Sequence, residues 1–339
     1  MLIIGLAGLD PAPHERTWLA APEVGGVILF ARNFESRGQL ARLVESIRAV
    51  RAAPLVVCVD QEGGVVQRFR GDGFTALPAL AALGRLWNRD PARAVALAEE
   101  HAWVMAGELR ALDVDLSFAP VLDLARGNRA IGTRALHADP EAVAALGQAY
   151  VRGMHLAGMA ATLKHFPGHG SVPQDTHHEV AVDTRTLEQL QAADLRPFAA
   201  GFAAGAEAVM MAHVTYPAVD AQPAGYSARW IGGVLRARMG FAGLVISDDV
   251  GMAAAAGAGG VAARVAAHYA AGCDVVLACA PVQVPAALAA ARAAGAVTRR
   301  AGLDPLRGQA AAAWAALQDN PQRARFLADL VALDAEPAA

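Results

Sequence analysis

Cysteine is scarce in this chain. Cys58, Cys273 and Cys279 are the only three in 339 residues, and each lies in an apolar run. They make no paired framework, so a disulfide scaffold is excluded and each reads as a small buried hydrophobe. Long apolar runs are missing as well. The alanine-rich stretches are broken by Arg, Gly and Pro before 18 residues, so none reads as a membrane span. No basic leader precedes Asp10, and no signal peptide is expected. Nor is there a surplus of positive charge. The formal net charge is −3 and the arginines are scattered among acidic residues, which excludes a nucleic-acid surface. The expectation is a cytoplasmic monomer that meets small molecules rather than nucleic acid or membrane.

What the chain has in abundance is hydrophobic residues, 55% of the total. They recur as short branched-aliphatic runs with helical patterns between them. The runs are Leu2 to Leu6, Gly26 to Phe30, Leu55 to Val59, Asp115 to Ala119, Met159 to Leu163, Ala208 to Met211, Leu244 to Ile246 and Asp274 to Ala278. They are near-continuous rather than alternating, as strands covered on both faces must be. Eight such runs with helices between them predict an α/β fold, a TIM-type (β/α)8 barrel. No linker divides the chain, so the barrel is expected over residues 1–300, with a helical extension over 301–339.

Helix starts are readable. Asp90-Pro91 and Asp139-Pro140 each pair a capping carboxylate with a proline suited to the first turn, and predict helices to about Ala111 and Leu156. Asp183 or Thr184 starts another that reaches Pro197. Ser227 is expected to cap Ala228 to Met239, and Asp304-Pro305 to open a helical tail. The alanines and glycines of 253–260 read as a flexible turn.

Polar residues gather where strands end. Asp60-Gln61-Glu62-Gly63-Gly64 and then Arg68 follow the third run, His213 the sixth, and Ser247-Asp248-Asp249 the seventh. In a barrel these positions share the C-terminal rim, where active sites are built. Asp249 reads as a helix cap and Glu62 as support for the glycine turn. The densest cluster follows the fifth run, from Lys164 to His178. It holds four histidines, and Pro167, Gly168, Gly170 and Pro173 make it a loop. Two chemistries use these residues. His165, His169, His177, His178, His213 and Asp248 are all zinc-ligand types, but His165 and His169 span Pro167-Gly168 and cannot be a helical pair. The other is metal-free: Asp175 holds the His177 imidazole in one tautomer for proton transfer while Asp248 attacks an acetal carbon. That combination suits a retaining glycosidase.

Lys164-His165-Phe166-Pro167-Gly168-His169-Gly170 with Asp175-Thr176-His177 resembles the catalytic loop of the β-N-acetylhexosaminidases of glycoside hydrolase family 3, most closely their bacterial NagZ branch. Supporting stretches are Gly25 to Asn33, Val59 to Arg68, Ser117 to Asp123, Ile131 to Arg134, Met211 to His213 and Ile246 to Asp249. The resemblance implies that Asp248 is the nucleophile, and His177 with Asp175 the acid/base dyad. It implies that Asp60, Arg68, Arg134, Lys164 and His165 bind the non-reducing N-acetylglucosamine. Glu62, His213 and Asp249 are expected to support these groups from behind. It further implies N-acetylglucosaminyl-β-1,4-anhydro-N-acetylmuramyl peptide as substrate, in peptidoglycan recycling, with no metal or other cofactor. The chain departs from the family pattern at Val65, Leu136, Val250-Gly251 and Thr176. These departures put fine specificity at issue rather than activity.

Overall fold

The computed structural model describes residues 1–176, 179–295 and 302–334. Eight strands form the central sheet: β1 (Leu2–Gly5), β2 (Val24–Leu29), β3 (Val56–Val59), β4 (Leu116–Ser117), β5 (Thr162–Phe166), β6 (Ala208–Met211), β7 (Leu244–Asp249) and β8 (Val275–Ala278). Seven ladders are parallel: six join chain neighbours, and in the seventh β8 pairs back onto β1. The join between β4 and β5 is made by the chain just after β4. There Thr162 N–H donates to the Ala119 carbonyl at 2.9 Å and Leu122 N–H to the Lys164 carbonyl at 2.7 Å. The sheet thus closes into the predicted barrel, and every strand has a neighbour on each side.

Alternation sorts the strand residues into two cores. Ile3, Ile28, Val56, Cys58, Leu244, Ile246, Val275 and Leu277 fill the barrel interior. Their sequence neighbours Leu2, Val27, Val57, Val245 and Val276 face outward into the layer beneath the helices. Both faces are apolar, which is why the sequence shows solid runs rather than an alternating pattern.

The fifth strand corrects the expectation. It runs over Thr162–Phe166, so Lys164 and His165 stand on a strand and the loop begins later. Side-chain character misleads here because the backbone finds partners on both sides. Lys164 N–H reaches the Pro120 carbonyl at 3.2 Å, and Ala212 N–H reaches the Phe166 carbonyl at 2.7 Å. The seventh strand likewise carries on through Asp248 and Asp249.

Two helices match their capping signals. Asp90 accepts from Arg93 N–H at the head of Pro91–Arg110, and Asp139 from Glu141 N–H at the head of Pro140–Leu156. The helix expected from Asp183 starts instead at Leu187, where Thr186 and Gln189 form a capping box. Asp183 is unavailable because it pairs with Arg185 at 2.6 Å, and Arg185 also holds Asp194 at 2.6 Å. A separate helix, Leu195–Ala203, follows. Ser227 accepts from Trp230 N–H at 3.0 Å ahead of Arg229–Arg238. Residues 253–258 form a tight helical turn rather than a loose one. No described helix is long and apolar enough to cross a membrane.

The C-terminal part begins inside the barrel. Leu303 and Leu306 join the interior cluster at its N-terminal mouth. Helices Trp314–Gln318 and Pro321–Asp334 then lie outside the barrel. Their anchor is the ion pair of Arg323 with Glu108 at 2.6 Å, both nearly without exposed surface. Glu108 also accepts from Thr75 N–H at 3.0 Å and Thr75 Oγ1 at 2.6 Å. Removing one partner of a buried pair strands the other's charge. Arg323→Ala should therefore lower stability by about 3 kcal/mol, measured by urea unfolding. A loss below about 1 kcal/mol, the range of an exposed pair, would show that Thr75 alone satisfies the carboxylate.

Candidate active site

Four inward columns of the barrel end in side chains that meet at one rim. Two residues beyond Ile28 stands Phe30; two beyond Cys58, Asp60; two beyond Ile246, Asp248; two beyond Leu277, Cys279. All four line one cleft of about 330 Å³ at the C-terminal rim, with Arg68, Arg134, Lys164, His165, Asp249 and Met252 around them and Ile28, Met210 and Leu277 as apolar floor. Strict alternation would let only one residue of a consecutive pair face inward. The ladders are irregular between Leu163 and Phe166 and between Ile246 and Asp249. Those irregularities bring both members of Lys164-His165 and of Asp248-Asp249 to the cleft, a common use of bulges near active sites.

Lys164 is the centre of the charged network and the only lysine in the chain. Its buried ammonium donates to Asp60 Oδ1 at 2.9 Å and lies 2.6 Å from Glu62 Oε1. Glu62 in turn takes Arg134 in a two-pronged pair at 2.8 and 2.9 Å. Glu62 does more than support the glycine turn: it locks the two cations to each other. Burial alone would raise its carboxyl, yet Lys164 and Arg134 outweigh burial and hold it well below the usual carboxylate range. Burial would likewise lower Lys164 and Arg134, but Asp60 and Glu62 raise the ammonium and Glu62 raises the guanidinium. Arg68 lies 3.8 Å from Asp60 and over the Phe30 ring at 5.6 Å. Its backbone N–H is fixed by Gln61 Oε1 at 2.9 Å.

Asp123 is the residue sequence reasoning missed. It is wholly buried and takes the His165 ring Nδ1 at 2.7 Å and the backbone N–H of His169 at 2.6 Å. A carboxylate there fixes the ring so that Nδ1 carries the proton and Nε2 is the other face. Burial pushes the Asp123 carboxyl up, but the two histidines prevail and lower it. The signal was present in the Ser117-to-Asp123 stretch, where an aspartate sits within an otherwise apolar run. His169 contributes its backbone; burial lowers its ring to about 4. Asp249 Oδ1 accepts Cys279 N–H at 3.0 Å, tying the end of β7 to that of β8. Burial, then its neighbour Asp248, raises the Asp249 carboxyl. His213 lies behind the pair, with Nε2 3.1 Å from the Asp249 carbonyl. Of the remaining histidines, His101 and His268 are fully buried on their helices.

Asp175 stands on the loop beyond β5 and, among the described residues, does not line the cleft. Its neighbours are fixed by backbone contacts: Glu179 N–H donates to the Asp175 carbonyl at 2.9 Å and Ala254 N–H to that of Thr176 at 3.1 Å. His177 and His178 lie outside the described residues. Among the described residues, no group of three or more His, Cys, Asp or Glu is arranged to hold a metal ion.

The Glu62 network has a pH signature. A carboxyl depressed in the folded state contributes stability above its unfolded pKa of about 4.3, and that contribution is lost as pH falls towards the folded value. Glu62→Gln should lower stability at neutral pH by about 3 kcal/mol and flatten the loss of stability below about pH 5. Urea unfolding across this range tests it; an unchanged acid slope would remove Glu62 as its source.

Comparison with known proteins agrees with this geometry. Residues 3–301 match the glycosyl hydrolase family 3 N-terminal domain. The chain is 58% identical over 314 residues to the β-hexosaminidase of Stenotrophomonas maltophilia strain R551-3, covering 93% of each, and similarly to that of Xylella fastidiosa strain 9a5c. NagZ from Neisseria gonorrhoeae in complex with N-trifluoroacetyl-D-glucosamine superposes with a TM-score of 0.90 at 38% identity over 98% of both chains. A family 3 β-N-acetylglucosaminidase from Paenibacillus sp. str. FPU-7 gives 0.82 at 34% identity, over 100% of this chain and 62% of that one. On fold, cleft and relatives together, the chain belongs to glycoside hydrolase family 3, as a NagZ-like β-N-acetylhexosaminidase.

Proposed function

We propose that this enzyme is a retaining exo-β-N-acetylglucosaminidase. It removes N-acetylglucosamine from N-acetylglucosaminyl-β-1,4-(anhydro)-N-acetylmuramyl peptides during peptidoglycan recycling in the cytoplasm. The observation that carries the reading is the meeting of Asp248 with the Asp60, Lys164 and Arg134 network in one small cleft. A volume of about 330 Å³ suits a single pyranose with its substituents, which favours cleavage at a chain end. The gonococcal relative's complex with an N-acylated glucosamine analogue supports the same sugar.

In the proposed reaction Asp60, Arg68, Lys164, Arg134 and His165 hold the hydroxyls of the non-reducing sugar. Carboxylate and cation partners alternate around the cleft, so a hydroxyl can donate to one and accept from the next. Asp248 attacks C1 as the glycosidic C–O bond breaks, and His177, oriented by Asp175, gives its proton to the leaving oxygen. Water then returns the proton to His177 and releases the sugar from Asp248. An imidazole titrates near working pH with an unperturbed pKa of about 6.5 and needs little tuning for both duties. No cofactor enters these steps.

Replacing His177 by alanine should slow both half-reactions by about 10²–10⁴ for an unactivated glycoside. A dinitrophenyl leaving group should largely restore kcat/KM, because it departs without a proton. An undiminished rate on the unactivated substrate would remove His177 from the role. Asp248→Ala should abolish turnover of both substrates; a fluorosugar adduct found by mass spectrometry on any other residue would overturn that assignment. Parallel assays with aryl β-glucoside and β-xyloside test the sugar preference.

A further inference from the structure

We propose that Asn128 is a positioning residue for the acid/base step, acting through the chain that carries Asp175. The inference rests on the acid/base assignment made above. Asn128 lies in the connection after β4, is 4% exposed, and touches none of the cleft. Its side chain is fully used. The amide nitrogen donates to the Val172 carbonyl at 2.5 Å and the Gln174 carbonyl at 2.9 Å. The amide oxygen accepts from Ala130 N–H at 2.8 Å and Ile131 N–H at 2.9 Å. Two carbonyls on one side and two N–H groups on the other leave one orientation of the amide, and only asparagine offers both functions at this length.

The two halves of that amide serve different parts of the site. The oxygen shapes the turn that leads to Arg134, whose Nη1 donates to the Ala130 carbonyl at 3.2 Å. The nitrogen holds the backbone immediately before Asp175. One planar group therefore sets the spacing between the sugar-holding Arg134 and the segment of the proposed proton-transfer dyad. Arg129 adds to the hold from the exposed rim, with Nε 3.1 Å from the Pro173 carbonyl and its guanidinium 2.6 Å from Glu179. On the opposite side, Ala254 N–H holds the Thr176 carbonyl. Segment 172–176 is thus held through its backbone carbonyls.

Asn128→Asp separates the two halves. It keeps an oxygen for the Ala130 and Ile131 N–H groups and turns the other side into a carboxylate oxygen facing two carbonyls. Both bonds to the loop are lost and the turn before Arg134 is retained. With a poor leaving group, such as a methyl glycoside or the natural disaccharide, kcat/KM should fall by about 10²-fold. With a dinitrophenyl glycoside, whose departure needs no proton, it should stay within about threefold, since the loss falls on acid catalysis. Binding of N-acetylglucosamine should be unchanged. Equal losses on both substrates, or no loss on either, would overturn the proposal. If Asn128→Asp does not accumulate as folded protein, Arg129→Ala loosens the same loop from the surface. It should show a smaller loss with the same leaving-group dependence, and a loss without that dependence would be equally fatal. His177→Ala is measured alongside. If it too lacks the dependence, the acid assignment falls and the inference with it. If His177→Ala shows it and Asn128→Asp does not, only the role of Asn128 falls.

Discussion

The closed ladder of β1 to β8 is the constraint on which the rest depends. Once each strand has a partner on both sides, its register is fixed, and alternate side chains must point to the barrel axis. The inward columns fill with Ile, Val, Leu and Cys through the body of the barrel. At the C-terminal rim the columns end in a cleft, so the next inward position can be polar. Asp60 and Asp248 are such positions, one step beyond Cys58 and Ile246. Their convergence follows from parity and needs no special loop. Leu303 and Leu306 seal the opposite mouth, so the cleft has a single open end.

Parity alone would still supply too few groups. Two local departures from it, at Lys164-His165 and Asp248-Asp249, double the side chains that two strands deliver to the cleft. The added members carry load differently. His165 faces the cleft on the support of Asp123, whereas Asp249 is spent on the backbone of Cys279. This places Asp248 beside a carboxyl that burial pushes towards its neutral form.

Most of this was legible in the sequence. The eight runs located the strands, and the polar residues after them located the cleft. What the sequence concealed was of two kinds. The first was backbone pairing that ignores side-chain character: Lys164, His165 and Phe166 look like loop beside Pro167 and Gly168, yet they form the ladder to β6 and the chain after β4. The second was support by residues with no evident chemistry. Glu62 read as part of a glycine turn because its partners, Lys164 and Arg134, lie about a hundred and about seventy positions away. Asp123 disappeared into an apolar run for the same reason. Pairing across such distances leaves no periodic trace. One compositional signal does point inward: a chain that uses arginine everywhere else keeps a single lysine, and keeps it at the centre of the charge network.

That choice of lysine has a physical reason. An ammonium is a compact point charge with three donors, whereas a guanidinium is a flat fork. Between Asp60 and Glu62 the cation must satisfy two carboxylates from different directions and still leave a donor for the cleft. Lys164 can do this with two protons committed and one remaining. The planar fork goes where a fork fits, in the two-pronged pairing of Arg134 with Glu62. Glu62 thereby balances both cations while showing no surface itself. The side of the cleft proposed to hold the sugar has its charges mutually paired within the barrel wall. Asp175 comes from a segment whose backbone is held by Asn128 on one side and Ala254 on the other. The proposed chemistry divides along the same line. Groups that must stay still are locked by paired charges, and the segment that carries Asp175 is held by hydrogen bonds to its backbone.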